Sequence, residues 1–368
     1  MTDEAENLHQ GGKGMPQFCV HGGDIYNHNI RLDFSVNINP LDIGEEIRAG
    51  ILRGASSYGV YPEAGNGRLR EAIGKSEGLG RNQVLCGNGA SELLAAVMHA
   101  FEPKHVLIPQ PAFAGYTWAA GMVNAAVENY VLKETDGFAI TEEFLEALTE
   151  DVDILILANP SNPVGRLTAP KLLSQILLRC QQKNILVLLD ECFIEFTGQE
   201  SAVRLLSSFD NLVILRAFTK IYGMPGVRLG YLFASVDFCS RIARQLPEWN
   251  LSVLAQETGL AVMGTPSGKW DRKQFIEETR LIIDSEKEKI YQELTKMESG
   301  DFVIYPSKAN FLLLRTKLPL YDKLLEKGIL IRDCSNYPGL DPGYYRIAVR
   351  GPEENQKLLQ AVSDLYRS

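Results

Sequence analysis

The sequence has no apolar stretch long enough to cross a bilayer. Runs such as Ile154–Leu157 and Ile185–Leu189 fall far short of the ~18 residues that a membrane helix needs. The N-terminal MTDEAENLHQGGKGMP is polar and has no apolar h-region, so no secretory signal is expected. Cysteine is sparse: six residues, at 19, 86, 180, 192, 239 and 334, with no CxxC pair. That pattern argues against a disulfide frame or zinc site and for reduced thiols in a cytoplasmic protein. Five histidines without HExxH-like spacing give no metal signal, and no metal is expected. Positive charge is in deficit: 37 Lys+Arg against 46 Asp+Glu leave −9 over 368 residues. A nucleic acid or an anionic membrane is therefore not expected as partner, although a local basic pocket for a small anion remains open. No fixed-period repeat or low-complexity tract occurs. With 45% hydrophobic and 23% charged residues the chain has ample material for a core.

What recurs is a short apolar run followed by a helix-like segment. The runs are Gln83–Gly87, His105–Pro109, Ala126–Leu132, Asp153–Ala158, Ile185–Asp190, Leu212–Ala217 and Arg228–Ala234. Each is bounded by Gly, Pro, Asn or Asp, as buried strands are. Helical stretches at Glu92–Phe101, Glu142–Thr149 and Pro170–Lys183 separate several of them, which predicts βαβ units and a mostly parallel sheet. Beyond it, Lys269–Met297 reads as one long amphipathic helix. Shorter runs and a closing helix from Glu353 to Tyr366 then predict a smaller α+β domain. The expected division is an N-terminal segment 1–44 packing with the small domain, a large domain 45–265 and a small domain 266–368.

The chemistry gathers at the predicted strand ends. Lys220 follows a buried strand, where burial and nearby cations depress an amine's pKa; taken alone it reads as an ordinary surface lysine at a strand end, and its surroundings change that reading. Gly223–Gly226 form a tight turn that brings Arg228 back toward it, suited to a phosphate. Asp190 ends another run, where a carboxylate either pairs with a protonated heteroaromatic nitrogen or caps the next turn. Asn162, in the Pro-framed turn Asn159–Gly165, presents an amide to a ring oxygen or simply shapes the turn. Gly89, Ala90 and Ser91 open a helix whose free N–H groups suit a phosphate. Phe113 either stacks on a flat ring or joins the core. Each signal is weak, but together they are the parts of a pyridoxal 5′-phosphate site.

With these residues in place the chain resembles the fold-type I pyridoxal-phosphate enzymes, in particular the class I/II aminotransferases, from about His21 to the C-terminus. Asn159–Gly165 is similar to the family's NP-x-NP-x-G turn, Asp190-Glu191 to its Asp-Glu pair, and Thr219-Lys220 with Arg228 to its Schiff-base lysine and phosphate arginine. The resemblance implies a pyridoxal-phosphate transferase-like large domain beside the smaller α+β domain. It makes Lys220 and Asp190 the catalytic residues, the latter on the pyridine nitrogen. It places Asn162 on the ring oxygen and Phe113 on the ring face, with Gly89, Ala90, Ser91, Thr219 and Arg228 around the phosphate. Tyr61 would reach the cofactor phosphate of a second subunit, so a homodimer is implied.

Within the group, three strings are more similar to threonine-phosphate decarboxylases of cobalamin biosynthesis than to histidinol-phosphate aminotransferases. They are His21–Ile25 with Leu32–Pro40, Asp190–Phe196, and Ile331–Leu340 with Tyr344–Arg350; aminotransferases usually carry Tyr at the position of Phe193. The implied substrate is a small phosphorylated amino acid, L-threonine O-3-phosphate, decarboxylated to (R)-1-amino-2-propanol O-2-phosphate. Arg346 would hold its carboxylate and Arg332 its phosphate, with His21 assisting and Asn37 as a further contact. The alternative is amino transfer on a phosphorylated amino compound such as histidinol phosphate.

Overall fold

The central runs rich in Leu, Ile and Val become strands because they are covered on both faces, where an unbroken apolar run is what a strand requires, whereas the edge run Ala126–Val131 is mostly exposed. The computed structural model describes residues 22–264, 270–297 and 302–367. After a two-residue strand β1 (Leu32–Asp33) come seven strands of one sheet: β2 (Val84–Gly87), β3 (His105–Gln110), β4 (Ala126–Val131), β5 (Ile154–Ala158), β6 (Leu186–Asp190), β7 (Leu212–Ala217) and β8 (Gly230–Phe233). Their spatial order is β2-β8-β7-β6-β5-β3-β4. All pairings are parallel except those of β8, which runs antiparallel to both β7 and β2.

Alternate side chains of the central strands feed two separate cores. Leu155, Leu157, Val187, Leu189 and Ile214 pack on one face. Ile154, Ile156, Leu188, Val213 and Leu215 pack on the other, under helix Ala90–Phe101. Register puts Ala158 beside Asp190 and Asp190 beside Leu215, so the carboxyl ends of β5, β6 and β7 open into the same crevice.

The second unit is built on β9 (Val303–Ile304), β10 (Phe311–Arg315), β12 (Arg332–Asp333) and β13 (Tyr344–Ala348), an antiparallel sheet ordered β12-β13-β10-β9. Between them lies β11 (Ile329–Leu330), which takes β1 as its parallel partner. Helix Arg272–Thr295 leads into this sheet, and Asp271 caps its N-terminus by accepting the N–H groups of Lys273 and Gln274. That cap starts the helix later than the charge pattern predicts. The last large-sheet strand is likewise shorter than Arg228–Ala234: Arg228 sits in the left-handed region at φ 58°, where an extended ladder cannot begin. The segment around Glu142 winds as a 3₁₀ helix, Glu142–Ala147.

Candidate active site

A cavity of ≈ 210 Å³ opens at the carboxyl ends of β5–β7 and gathers residues from both units. Ala90, Ser91, Phe113, Asn162, Asp190, Thr219, Lys220 and Arg228 line it from the large sheet, and Asn37, Tyr337 and Arg346 from the other side.

Lys220 lies on the single turn Phe218–Ile221 that directly follows β7. Buried Phe218 and Ile221 anchor that turn in the core and leave the lysine half-buried at the cavity. Its Nζ stands 5.8 Å from the centroid of the Phe193 ring. Burial first, and then the Arg346 guanidinium, push its pKa below the usual lysine value. Asp190, at the tip of β6, is held by two donors: the Cys192 N–H reaches Oδ1 at 2.8 Å and the Tyr116 hydroxyl reaches Oδ2 at 2.6 Å. Glu191 turns away from the cavity, where its carboxylate accepts from Ser201 and from the Ala202 N–H.

Asn162 rides a turn pinned on three sides. Gly165 donates to the Ser161 carbonyl, Arg166 N–H to the Ser161 hydroxyl, and Lys308 N–H to the Gly165 carbonyl. Position 165 needs glycine because φ is +83° and a Cβ would collide with Ser307. Phe113 sits one turn before Tyr116, whose N–H donates to the Phe113 carbonyl, and their rings meet edge to face at 5.6 Å.

Arg228 folds back against the N-terminus of helix Ala90–Phe101. A Cβ on Gly89 would lie 2.5 Å from its Nη2, so only glycine admits the guanidinium there. Cation and helix N-terminus thus meet at the wall of the cavity, which Thr219 also lines.

Arg346 donates to Asn162 Oδ1 at 2.5 Å and to the Ser35 carbonyl at 2.7 Å. Arg332 is its cross-strand neighbour in the β12–β13 register. It stands a layer behind the cavity wall, donating to Asn336 Oδ1 and lying 5.3 Å over the Tyr337 ring. Among the described residues, none of Arg228, Arg332 and Arg346 has a carboxylate partner. The buried Oδ1 of Asn37 also lacks a hydrogen-bond partner there. His21 lies outside the described residues. Tyr61 is outside the cavity, 79% exposed, with its ring against Trp249 at 5.1 Å.

A family model described as aminotransferase class I and II matches residues 29–362. The chain belongs to that family. Pyridoxal 5′-phosphate is the cofactor of class I/II aminotransferases, and the site fits it. Arg228 without a carboxylate, set against a helix N-terminus, suits a phosphate; Asp190 faces the cavity as an anion for a ring nitrogen. The chain is 35% identical over 94% of its length to the threonine-phosphate decarboxylase of Salmonella typhimurium, of which it covers 96%. The crystal structure of the histidinol-phosphate aminotransferase from Clostridium acetobutylicum superposes with a TM-score of 0.83 at 31% identity, covering 91% of this chain and 99% of that one. That of L-threonine-O-3-phosphate decarboxylase from Porphyromonas gingivalis gives 0.78 at 28% identity, covering 92% and 100%.

Two features of this aminotransferase-family site escape sequence reading. Tyr116 reaches Asp190; its only signal is the spacing of three residues from Phe113, one helical turn. A buried cluster beneath the lysine turn joins Arg216 and Arg272 to Glu77 and Glu195, at 2.9–3.3 Å. Its members come from four separate segments, so no local pattern announces them. The five described cysteines are free thiols. Among the described residues no His/Cys/Asp/Glu group could hold a metal, and no helix is long and apolar enough to span a membrane.

Proposed function

We propose that the protein decarboxylates L-threonine O-3-phosphate to (R)-1-amino-2-propanol O-2-phosphate, a step of cobalamin biosynthesis. The observation that carries this reading is the pair Arg332 and Arg346, opposite each other across β12–β13 without a carboxylate partner among the described residues. Two like charges directly opposite on a ladder are unfavourable unless an anion joins them. A substrate with a carboxylate and a phosphate supplies one anion to each. The identity to the Salmonella decarboxylase over 94% of the chain supports the same reading.

Bound in the cavity, pyridoxal 5′-phosphate supplies an electron sink for a bond broken at the substrate's α-carbon. Arg228, Thr219 and the amides of Ala90 and Ser91 hold the cofactor's phosphate. Asp190 meets the ring nitrogen, Asn162 the ring oxygen, and Phe113 covers the ring. Arg346 would take the substrate carboxylate and so orient the bonds at the α-carbon. Arg332, reached past Tyr337, takes the phosphate, with Asn37 and His21 beside it. Lys220 would hold the cofactor through its amine and, once protonated by the incoming substrate ammonium, would be the proton donor to the substrate's α-carbon. Tyr61 would meet the cofactor phosphate of a second copy of the chain, a role its exposure beside Trp249 leaves open, and we read the working form as a cytoplasmic homodimer. We read the chain as an N-terminal segment 1–44 packing with the small domain, a large domain 45–265 and a small domain 266–368, a division compatible with a site that Asn37 of the first segment also lines.

The test is product analysis. Incubation with L-threonine O-3-phosphate is expected to release CO₂ in stoichiometry with the amine, while L-threonine reacts poorly. A second reading, amino transfer on a substrate such as histidinol phosphate, is favoured by the likeness to the Clostridium structure. Formation of an oxo product from histidinol phosphate in the presence of an amino acceptor, without CO₂, would establish it instead.

A further inference from the structure

Asp190 does not face the cavity as an unsupported carboxylate. Its Oδ1 is fixed by the backbone of Cys192 and its Oδ2 by the phenol of Tyr116 at 2.6 Å. Tyr116 is only 2% exposed and lines the same cavity. Its hydroxyl donates to the oxygen that the Cys192 N–H leaves free, while the Cys192 thiol is a second side chain in hydrogen-bonding reach of the carboxylate. The phenol comes from the first turn of helix Gly115–Met122, and the same turn carries Phe113 at its entrance. One rigid turn therefore supports both the ring-stacking residue and the carboxylate.

We propose that Tyr116 is a positioning residue that fixes Asp190 Oδ2 and keeps the proton shared with the cofactor on the ring nitrogen. A hydrogen bond donated to a carboxylate favours its charged form over its protonated form. With Tyr116 donating, the proton between Asp190 and the pyridine stays on nitrogen, where it makes the ring the stronger sink. Without it, the carboxylate competes better for that proton and also gains freedom to rotate about its last bond. Burial first, and then the Asp190 charge, push the Tyr116 pKa well above its usual value, so the phenol keeps its proton across the working range. The inference rests on the cofactor reading and is independent of which substrate is decarboxylated.

The test is Tyr116→Phe, which removes the hydroxyl and preserves the edge-to-face contact with Phe113. The loaded protein is prepared with ring-¹⁵N pyridoxal 5′-phosphate, and the nitrogen chemical shift is followed from pH 6 to 9. The wild type is expected to show a protonated nitrogen throughout. The variant is expected to move toward the neutral-pyridine value, with kcat reduced roughly 10–100-fold, the loss of one hydrogen bond to a charged group. Tyr116→Leu, which also removes the ring contact, should show the same nitrogen shift plus weaker cofactor retention. An unchanged nitrogen shift in Tyr116→Phe, whatever its activity, overturns the proposal and leaves the reading of Asp190 standing. A neutral nitrogen already in the wild type overturns both.

Discussion

Arg346 stands directly across the β12–β13 ladder from Arg332, yet only Arg346 lines the cavity while Arg332 waits behind the Tyr337 ring. The two cations therefore see different parts of a ligand. Arg346 is fixed by Asn162 and Ser35, on the wall of the cavity. Arg332 is the outer group, held by Asn336 and by the face of the Tyr337 ring.

Their substitutions should accordingly separate. Arg332→Ala is expected to raise KM for L-threonine O-3-phosphate by a factor consistent with ~2–5 kcal/mol, the cost of leaving a charge unpaired, while barely changing the slow reaction of L-threonine. Arg346→Ala should impair both compounds, since both present the same carboxylate. Steady-state kinetics on the two substrates checks the split, and parallel losses in both variants would count against separate anchoring.

The cofactor's phosphate corner gives a second test. Gly89→Ala places a Cβ 2.5 Å from Arg228 Nη2 in a backbone at φ +78°. Because the nearest atoms are the flexible end of a side chain, the guanidinium can swing away, and the damage falls on the cradle rather than on the core. The expected result is roughly 10–100-fold weaker pyridoxal-phosphate binding, as for one lost charged hydrogen bond. Fluorescence titration of the apoprotein measures it, and an unaltered affinity would remove Arg228 from the phosphate site.

Much of this was legible because the chemistry hangs on strand ends. Asp190, Asn162 and Lys220 each follow an apolar run that can only be a covered strand, so topology alone carries them to one crevice. What was not legible depends on side chains meeting across large sequence distances. Tyr116 finds Asp190 from 74 positions away, and Glu77 finds Arg216 from 139. Local patterns carry no record of such pairs. The limits of strands and helices were set by details that periodicity does not weigh, such as the left-handed Arg228 and the Asp271 cap. Arg332 and Arg346 were readable as charges, but not as neighbours: their pairing is a matter of register.

The buried Arg216–Glu195–Glu77–Arg272 cluster should be costly to break. Arg216 donates to Glu195 at 2.9 Å and Arg272 at 3.3 Å, while Tyr222 reaches the same carboxylate. Burial pushes the Glu195 pKa up, but Arg216 and Arg272 outweigh it and hold the carboxyl below its usual value. Glu195→Ala leaves two guanidiniums short of a partner and is expected to destabilise by ~3–5 kcal/mol, read from urea denaturation. The sign with pH follows from the depressed value. The stabilisation is present above the carboxyl's ordinary range near ~4.3 and is lost as pH falls through the lower folded value. Wild-type stability should therefore fall toward acid more steeply than that of Glu195→Gln. Equal slopes would show that the carboxylate contributes no linked stability.

Lys220 offers the converse case. Its pKa is depressed by burial and then by Arg346, so the unfolded chain binds the proton more tightly than the folded one. Stability linked to this group is thus lowest in acid and rises with pH between the folded value and the ordinary ~10.4. The consequence for function is direct, because only the neutral amine can bond to the aldehyde of pyridoxal 5′-phosphate. Capture of the cofactor by the apoprotein should speed up as pH rises and level off once Lys220 is mostly neutral, well before an ordinary lysine would. Removing the neighbouring cation in Arg346→Ala should move that profile to higher pH, since one of the two leading causes of the depression is gone. Stopped-flow absorbance across a pH series measures the profile in both proteins. Lys220→Ala should abolish the covalent signal altogether while the phosphate cradle still retains some cofactor. A profile that does not move in Arg346→Ala would mean that the guanidinium does not sense the amine, and that burial alone sets its reactivity.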